Sequence, residues 1–370
     1  MIYVFYNNDP LAQDLGGGAE HFRGLHRALL KSGLDFRLVS AKLQGHRTAP
    51  HVEYISETSN FLRFYLNLWL WFWRHRNAFG EHDVFHFHRN YAAWPKLVLA
   101  PRIGRVMISY HNVTGKVIEG WLGRFARPIR RLMLVAERRV AQLSDAIVCV
   151  SNRDRMALKD IVSPRPFEDA KVIPAAFDGS LFQDTGARPP GPTLAHKLIV
   201  LGRLSHQKNI PLAIEVVEAL TKQGFDYRLT IAGDGEDARS VMKRIATSPA
   251  KDRIDWVGRI SHDDVPKALS EHGILLLSSR YEASPTVVKE ALRTMRPVVA
   301  TDVGDVPDWI DEDQTGFVCD NTPQSLADGV VQATRLILEG RYAPTSKLDA
   351  LSEDAIMVEV MQLYRRLQAS

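Results

Sequence analysis

Two glutamates, Glu282 and Glu290, stand with seven residues between them in SSRYEASPTVVKEALRTMRPVVATDVGDVPD, the stretch from Ser278 to Asp308. The apolar run from Gly273 to Leu277 ahead of it reads as a buried parallel strand. Pro285 is placed to open a helix, because its missing N–H costs nothing in a first turn. TVVKEALRTM then carries apolar residues at helical spacing. Glu282 therefore belongs to the loop at the strand's carboxyl end, beside Ser284, and Glu290 to the helix. The amides of Thr286 and Val287 face out of the positive end of that helix, where phosphate oxygens bind well. One carboxylate can hold sugar hydroxyls and the other a ribose diol. A nucleotide sugar presents all three groups.

Upstream, KLIVLGRL reads as a strand, SHQKN as its loop, and a helix starts at Pro211. Arg203 and Lys208 fall just past the strand's carboxyl end, where two cations can neutralise a departing diphosphate. In the front half, Gly16–Gly17–Gly18 joins a first strand (Ile2 to Tyr6) to a helix from about Ala19 to Lys31. Such a loop lets backbone amides approach an anion or a sugar. Three histidines fall at strand ends, His86 and His88 in HFHRN and His111 in YHNV. His-x-His is a possible metal pair, but no Cys or carboxylate follows at metal spacing, so packing or substrate hydrogen bonding is expected.

The Glu-x7-Glu spacing, followed by the apolar strand Pro297–Ala300 and the Gly304–Asp305 loop, resembles retaining glycosyltransferase family 4. The G-R-x4-K element of Arg203 and Lys208 is similar to that family's diphosphate-binding element, and it precedes Glu282 as the family requires. Ala283 stands where the family commonly has Gly, Arg296 where it has Gly before Pro297, and Asp308 near a common Glu. The resemblance implies an α/β fold of the GT-B type, two Rossmann-like domains facing across a cleft. It implies that Gly16 and Gly17 face the donor phosphates and the acceptor. It implies that His111 closes over the donor sugar, and that Gly258, Arg259 and Ile260 cradle the nucleotide base. No metal or other cofactor is expected. Asp311–Glu312–Asp313 copies a D-x-D metal motif but follows the core elements, and is read as a decoy.

The elements around these loops fit that architecture. Strands recur near Phe36–Val39, Val52–Ile55, Val84–Phe87, Val106–Tyr110 and Ala146–Val150, with helices between several of them, as in a doubly wound sheet. YRLTIAGDG and IDWVGRI repeat the pattern in the second half. The stretch from Phe177 to Lys197 is rich in proline and glycine and reads as a linker. The expected division is residues 1–190 for an acceptor domain and 191–348 for a donor domain. Residues 349–370 form a terminal helix, which the resemblance implies returns to the first domain.

A chain of 370 residues with 45% hydrophobic and 24% charged residues suits two globular domains. Cys149 and Cys319 lie in apolar runs in different halves, as small buried hydrophobes. No apolar run reaches membrane-spanning length, and the first residues read as a strand and not as a leader, which points to the cytoplasm. Through residue 190 there are 26 Lys and Arg against 17 Asp and Glu, leaving that part at +9. The rest is at −5. No nucleic-acid motif accompanies the basic half. An anionic membrane surface suits it better, because NFLRFYLNLWLWFWRHR (Asn60 to Arg76) combines Trp69, Trp71 and Trp73 with terminal arginines. A second basic stretch runs from Arg124 to Arg139. A core helix of the first domain explains the tryptophan run slightly better.

The expected function is sugar transfer, with retention, from a UDP- or GDP-linked donor to an acceptor hydroxyl of a glycan or lipid-linked acceptor. Cell-surface polysaccharide or lipid-linked glycan synthesis is the expected setting, with the protein at the inner face of the membrane. Rival readings are a nucleotide-sugar epimerase of the same fold and a non-catalytic binding subunit.

Overall fold

The structure, a computed structural model, describes residues 1–11, 17–42, 49–58, 60–111, 127–159, 170–177, 179–182, 188–351 and 353–370. Gly16, Asn112 and Arg124 lie outside the described residues. The chain divides into two compact units, Met1–Ala176 with Asp354–Ser370, and Phe177–Glu353. The first division thus falls ahead of the proline-rich stretch and not at residue 190. That stretch, from Phe177 on, belongs to the second unit.

In the first unit, the described strands are β1 (Ile2–Tyr6), β2 (Phe36–Ala41), β3 (Val52–Ser56), β4 (Val84–Phe87), β5 (Arg105–Tyr110), β6 (Ala146–Cys149) and β7 (Lys171–Val172). They form a parallel sheet in the order β3-β2-β1-β4-β5-β6-β7. The described α-helices are α1 (Gly17–Ser32), α2 (Phe61–His75), α3 (Trp94–Leu99), α4 (Arg127–Gln142) and α5 (Asn152–Lys159). Strands β1 and β4 are buried along their whole length, as strands covered on both faces must be. The helix Glu353–Ala369 at the end of the chain belongs to this unit, where its Tyr364 hydroxyl lies 2.5 Å from His86 Nδ1.

Helix α2 resolves the tryptophan run into two faces. Asn60 caps it by accepting from the Arg63 amide. Phe64, Leu68, Trp71 and Phe72 are buried, and Trp71 Nε1 donates to Glu53 at 2.7 Å. Phe61, Leu62, Leu66, Leu70 and Trp73 are exposed. One side of the helix is thus packed in the core and the other carries exposed apolar side chains.

The second unit repeats the plan. Its strands are β8 (Lys197–Leu201), β9 (Arg228–Ala232), β10 (Ile254–Gly258), β11 (Ile274–Leu277), β12 (Val298–Thr301) and β13 (Gly316–Cys319), in the order β10-β9-β8-β11-β12-β13. Its helices are α6 (Ile210–Lys222), α7 (Ala238–Ala246), α8 (Val265–Ser270), α9 (Thr286–Arg293), α10 (Val306–Trp309) and α11 (Pro323–Leu338), and the terminal helix is α12. The order reverses between β8 and β11, and in such sheets ligands bind outside the carboxyl ends of the strands at that reversal. The loops leaving β8 and β11 are the ones that carry Lys208 and Glu282. Cys149 and Cys319 are buried free thiols, each pushed up by burial, Cys319 to about 11.

Candidate active site

The loop from β8 to α6 and the loop from β11 to α9 are bonded to one another. Lys208 Nζ lies 2.7 Å from Glu282 Oε1. Ser279 Oγ donates to the same oxygen at 2.7 Å, and Gln207 Nε2 donates to Oε2 at 3.1 Å. The backbones join too: the Arg280 amide donates to the Gln207 carbonyl at 2.8 Å, and Ser278 Oγ to the Lys208 carbonyl at 3.0 Å. Gly202 has φ 146, and a Cβ there would lie 3.3 Å from Lys208 Cε, so the bare glycine leaves the lysine its path. The Glu282 side chain is 8% exposed and Lys208 is 20% exposed. This is a held ion pair, and its charge-assisted bonds belong to the strong class.

Arg203 does not join it. Its Nε pairs with Glu236 at 2.9 Å, and its side chain is 73% exposed. Gln207 and Ser279 are not legible as site residues in the sequence, because amide and hydroxyl side chains in a loop carry no spacing signal.

Helix α9 begins at Thr286, directly after Pro285, and Thr286, Val287 and Glu290 are buried. Glu290 Oε1 lies 3.5 Å from His262 Nε2. His262 opens the turn after β10, the strand that ends at Gly258, with Arg259 exposed and Ile260 half-buried beside it. Gly258, Arg259 and Ile260 are thus on the chain segment that also supplies Glu290 with its histidine. Ser284 Oγ donates to Asp305 Oδ2 and accepts from Lys289 Nζ at 2.6 Å. Lys289 is fully buried, and burial draws its ammonium below the ordinary value while Asp305 opposes the shift. At the end of α9 the left-handed residue is Met295, at φ 57, so the glycine-favouring position is one residue before Arg296. Asp311 pairs with Lys347 at 2.6 Å, which holds its carboxyl below the usual range.

In the first unit, His111 follows β5 and His88 follows β4. His88 Nδ1 and His111 Nε2 are 2.8 Å apart, and His21 of α1 stacks edge-on against both rings. Among the described residues, His21, His88 and His111 form the group whose ring nitrogens approach closely enough to hold a metal, all within 4.8 Å of one another. The Ala176 amide, however, donates to His21 Nδ1 at 3.1 Å. That contact places the neutral ring's proton on Nε2, so the remaining nitrogen carries a hydrogen and not a lone pair. Burial holds His88 and His111 well below the ordinary imidazole value, and His86 at about 3. All three are neutral near pH 7. Gly17 starts α1, while Gly16 lies outside the described residues.

The family model for Glycosyl transferases group 1 matches residues 192–338, and that for Glycosyltransferase Family 4 matches residues 15–180. An alpha-D-kanosaminyltransferase of Streptomyces kanamyceticus is 34% identical over 135 residues, covering 36% of this chain and 35% of that protein. The gpi3 subunit of a phosphatidylinositol N-acetylglucosaminyltransferase of Schizosaccharomyces pombe is 30% identical over 46% of this chain and 37% of its own length. The chain thus spans little more than a third of the length of these relatives. Among solved structures, sucrose-phosphate synthase from Thermosynechococcus elongatus is similar at TM-score 0.77 and 20% identity, covering 100% of this chain and 99% of its own. HepE of Anabaena, determined in complex with UDP-glucose, is similar at TM-score 0.68 and 14% identity over 99% of both chains. With one model on each unit and two parallel α/β units of this order, the chain belongs to glycosyltransferase family 4 and has the GT-B fold.

Proposed function

We propose that the protein transfers a sugar from a UDP- or GDP-linked donor to a hydroxyl of a glycan or lipid-linked acceptor, with retention of configuration. The observation that carries this reading is the held Lys208–Glu282 pair at the strand-order reversal, with Glu290 and the amide end of α9 on the next element. The positive end of α9 and Lys208 favour the departing diphosphate. The diphosphate can take the acceptor's proton as the acceptor attacks from the same face, so no enzymic nucleophile is needed. Glu282 orients the sugar through the one lone pair, on Oε2, that its three partners leave open, and Glu290 holds the ribose. The part given to His111, closing over the sugar, rests on the family resemblance. Arg203 serves only after leaving Glu236. The UDP-glucose bound by HepE supports a nucleotide-sugar donor. The exposed apolar and basic faces of α2 and α4 support an acceptor held at an anionic membrane, as in cell-surface or lipid-linked glycan assembly.

The test is a panel of UDP-, GDP- and dTDP-sugars, followed by thermal shift and by product analysis with and without acceptors, in excess EDTA. Binding of one donor raises apparent stability, and transfer is expected to continue under chelation. Epimerised sugar without acceptor would replace this reading with the epimerase, and no donor binding would replace it with a binding subunit. Activity lost to EDTA and restored by manganese or magnesium would overturn the metal-free mechanism.

A further inference from the structure

Beside Glu290 on α9 lies a cation in the protein interior. Lys289 is 0% exposed, with Nζ 2.6 Å from Ser284 Oγ, 3.4 Å from Asp305 Oδ2 and 5.1 Å from the Trp309 ring centroid. Ser284 Oγ donates its own proton to that same Asp305 oxygen at 2.5 Å. The turn carrying Asp305 lies flush on the loop that carries Glu282. The Asp305 amide donates to the Ala283 carbonyl at 3.1 Å. A Cβ on Gly304 would fall 2.5 Å from that carbonyl oxygen and 2.8 Å from the Glu282 carbonyl oxygen, and Gly304 itself has φ 56.

An ammonium at this depth is costly to bury, and an apolar side chain of similar volume would hold the helix down as well. What the cation adds is direction. It donates to Ser284 Oγ, while Asp305 takes the serine proton. The hydroxyl proton is therefore committed inside the protein. A hydroxyl in that state does not donate to a phosphate oxygen, but it can accept from another hydroxyl.

We propose that Lys289 is a positioning residue for the sugar part of the donor: with Asp305 it clamps the Glu282–Ser284 loop and fixes the Ser284 hydroxyl as an acceptor for a sugar hydroxyl. The phosphate grip then falls to the α9 amides and Lys208. This rests on the donor reading above.

The experiment compares calorimetric binding of UDP, GDP, UDP-glucose and GDP-mannose to wild type, Lys289→Met, Lys289→Met/Asp305→Leu and Ser284→Ala. Lys289→Met leaves Asp305 buried without its cation and should lower Tm. The double variant removes both charges and should recover Tm, while affinity for the sugar nucleotide stays at least tenfold down and affinity for the free nucleotide is nearly unchanged. Ser284→Ala keeps the Lys289–Asp305 ion pair, loses the serine's two buried hydrogen bonds and some Tm with them, and should show the same selective loss of the sugar nucleotide. A double variant that binds sugar nucleotide like wild type would make the pair purely structural and end the proposal. Equal losses for nucleotide and sugar nucleotide in Ser284→Ala would place the serine on phosphate and end it too. If wild type binds none of the four probes, the donor reading fails before any variant is made.

Discussion

At the scale of single residues, Lys208 and Arg203 have different partners and should respond differently to removal. Lys208→Ala strips the cation from a nearly buried Glu282 carboxylate. Losing a charge-assisted bond costs about 1.5–3 kcal/mol, so turnover should fall by one to two decades, with a drop in the urea midpoint. Adding Glu282→Gln should restore the midpoint and leave turnover low. Arg203→Ala removes an exposed pair with Glu236 that contributes at most about 1 kcal/mol. Its stability should match wild type while turnover falls by about a decade, provided the guanidinium moves to the diphosphate. Wild-type turnover in that variant removes Arg203 from the mechanism.

Among the elements, α2 and α4 make the membrane idea testable in sharper terms than the tryptophan count. Trp71 is committed to the core by its bond to Glu53, so it cannot report docking. Leu62, Leu66, Leu70 and Trp73 of α2 are exposed, as are Leu132, Val135, Arg131, Arg138 and Arg139 of α4. Each basic side chain at an anionic leaflet contributes about 1 kcal/mol and is screened by salt. Co-sedimentation with phosphatidylglycerol vesicles should weaken steeply with salt. Trp73 emission should shift blue on binding, and a Trp73→Ser/Leu66→Ser variant should bind less. Indifference to these vesicles at low salt would assign the face to some other contact. Sequence periodicity showed the strands and the loops after β8 and β11, because burial on both faces writes continuous apolar runs. It could not orient α2, which is apolar on both sides. Nor could it separate Arg203 from Lys208, since a loop has no period to say where each side chain points. The burial of Lys289 is not legible in the sequence, because a charge on a helix is ordinarily solvated. His21, His88 and His111 come from three elements, and only the sheet order brings them together.

For the molecule as a whole, the first unit carries an acid sensitivity in its interior. His86 is held at about 3 by burial and, secondarily, by the nearby His21, against an ordinary value of 6.5. Burial shifts His88 and His111 the same way. The unfolded chain therefore binds more protons than the folded one below about pH 6.5, and stability falls with pH through that range towards 3. Each imidazole contributes on the order of 1.4 kcal/mol per pH unit there. Urea midpoints at pH 7.5 and 5.5 should differ markedly in wild type and less in His86→Gln; parallel pH slopes would refute the assignment. The partner of His86, Tyr364, comes from α12, which joins the first unit only after all of the second unit has been traversed. On the ribosome this inverts the usual order of completion. The amino-terminal half waits for residues 177–353 to be made, roughly ten to thirty-five seconds at about 5–20 residues per second, before its last helix exists. The second unit is contiguous and can close first, so the nascent first unit is the part most in need of chaperone protection.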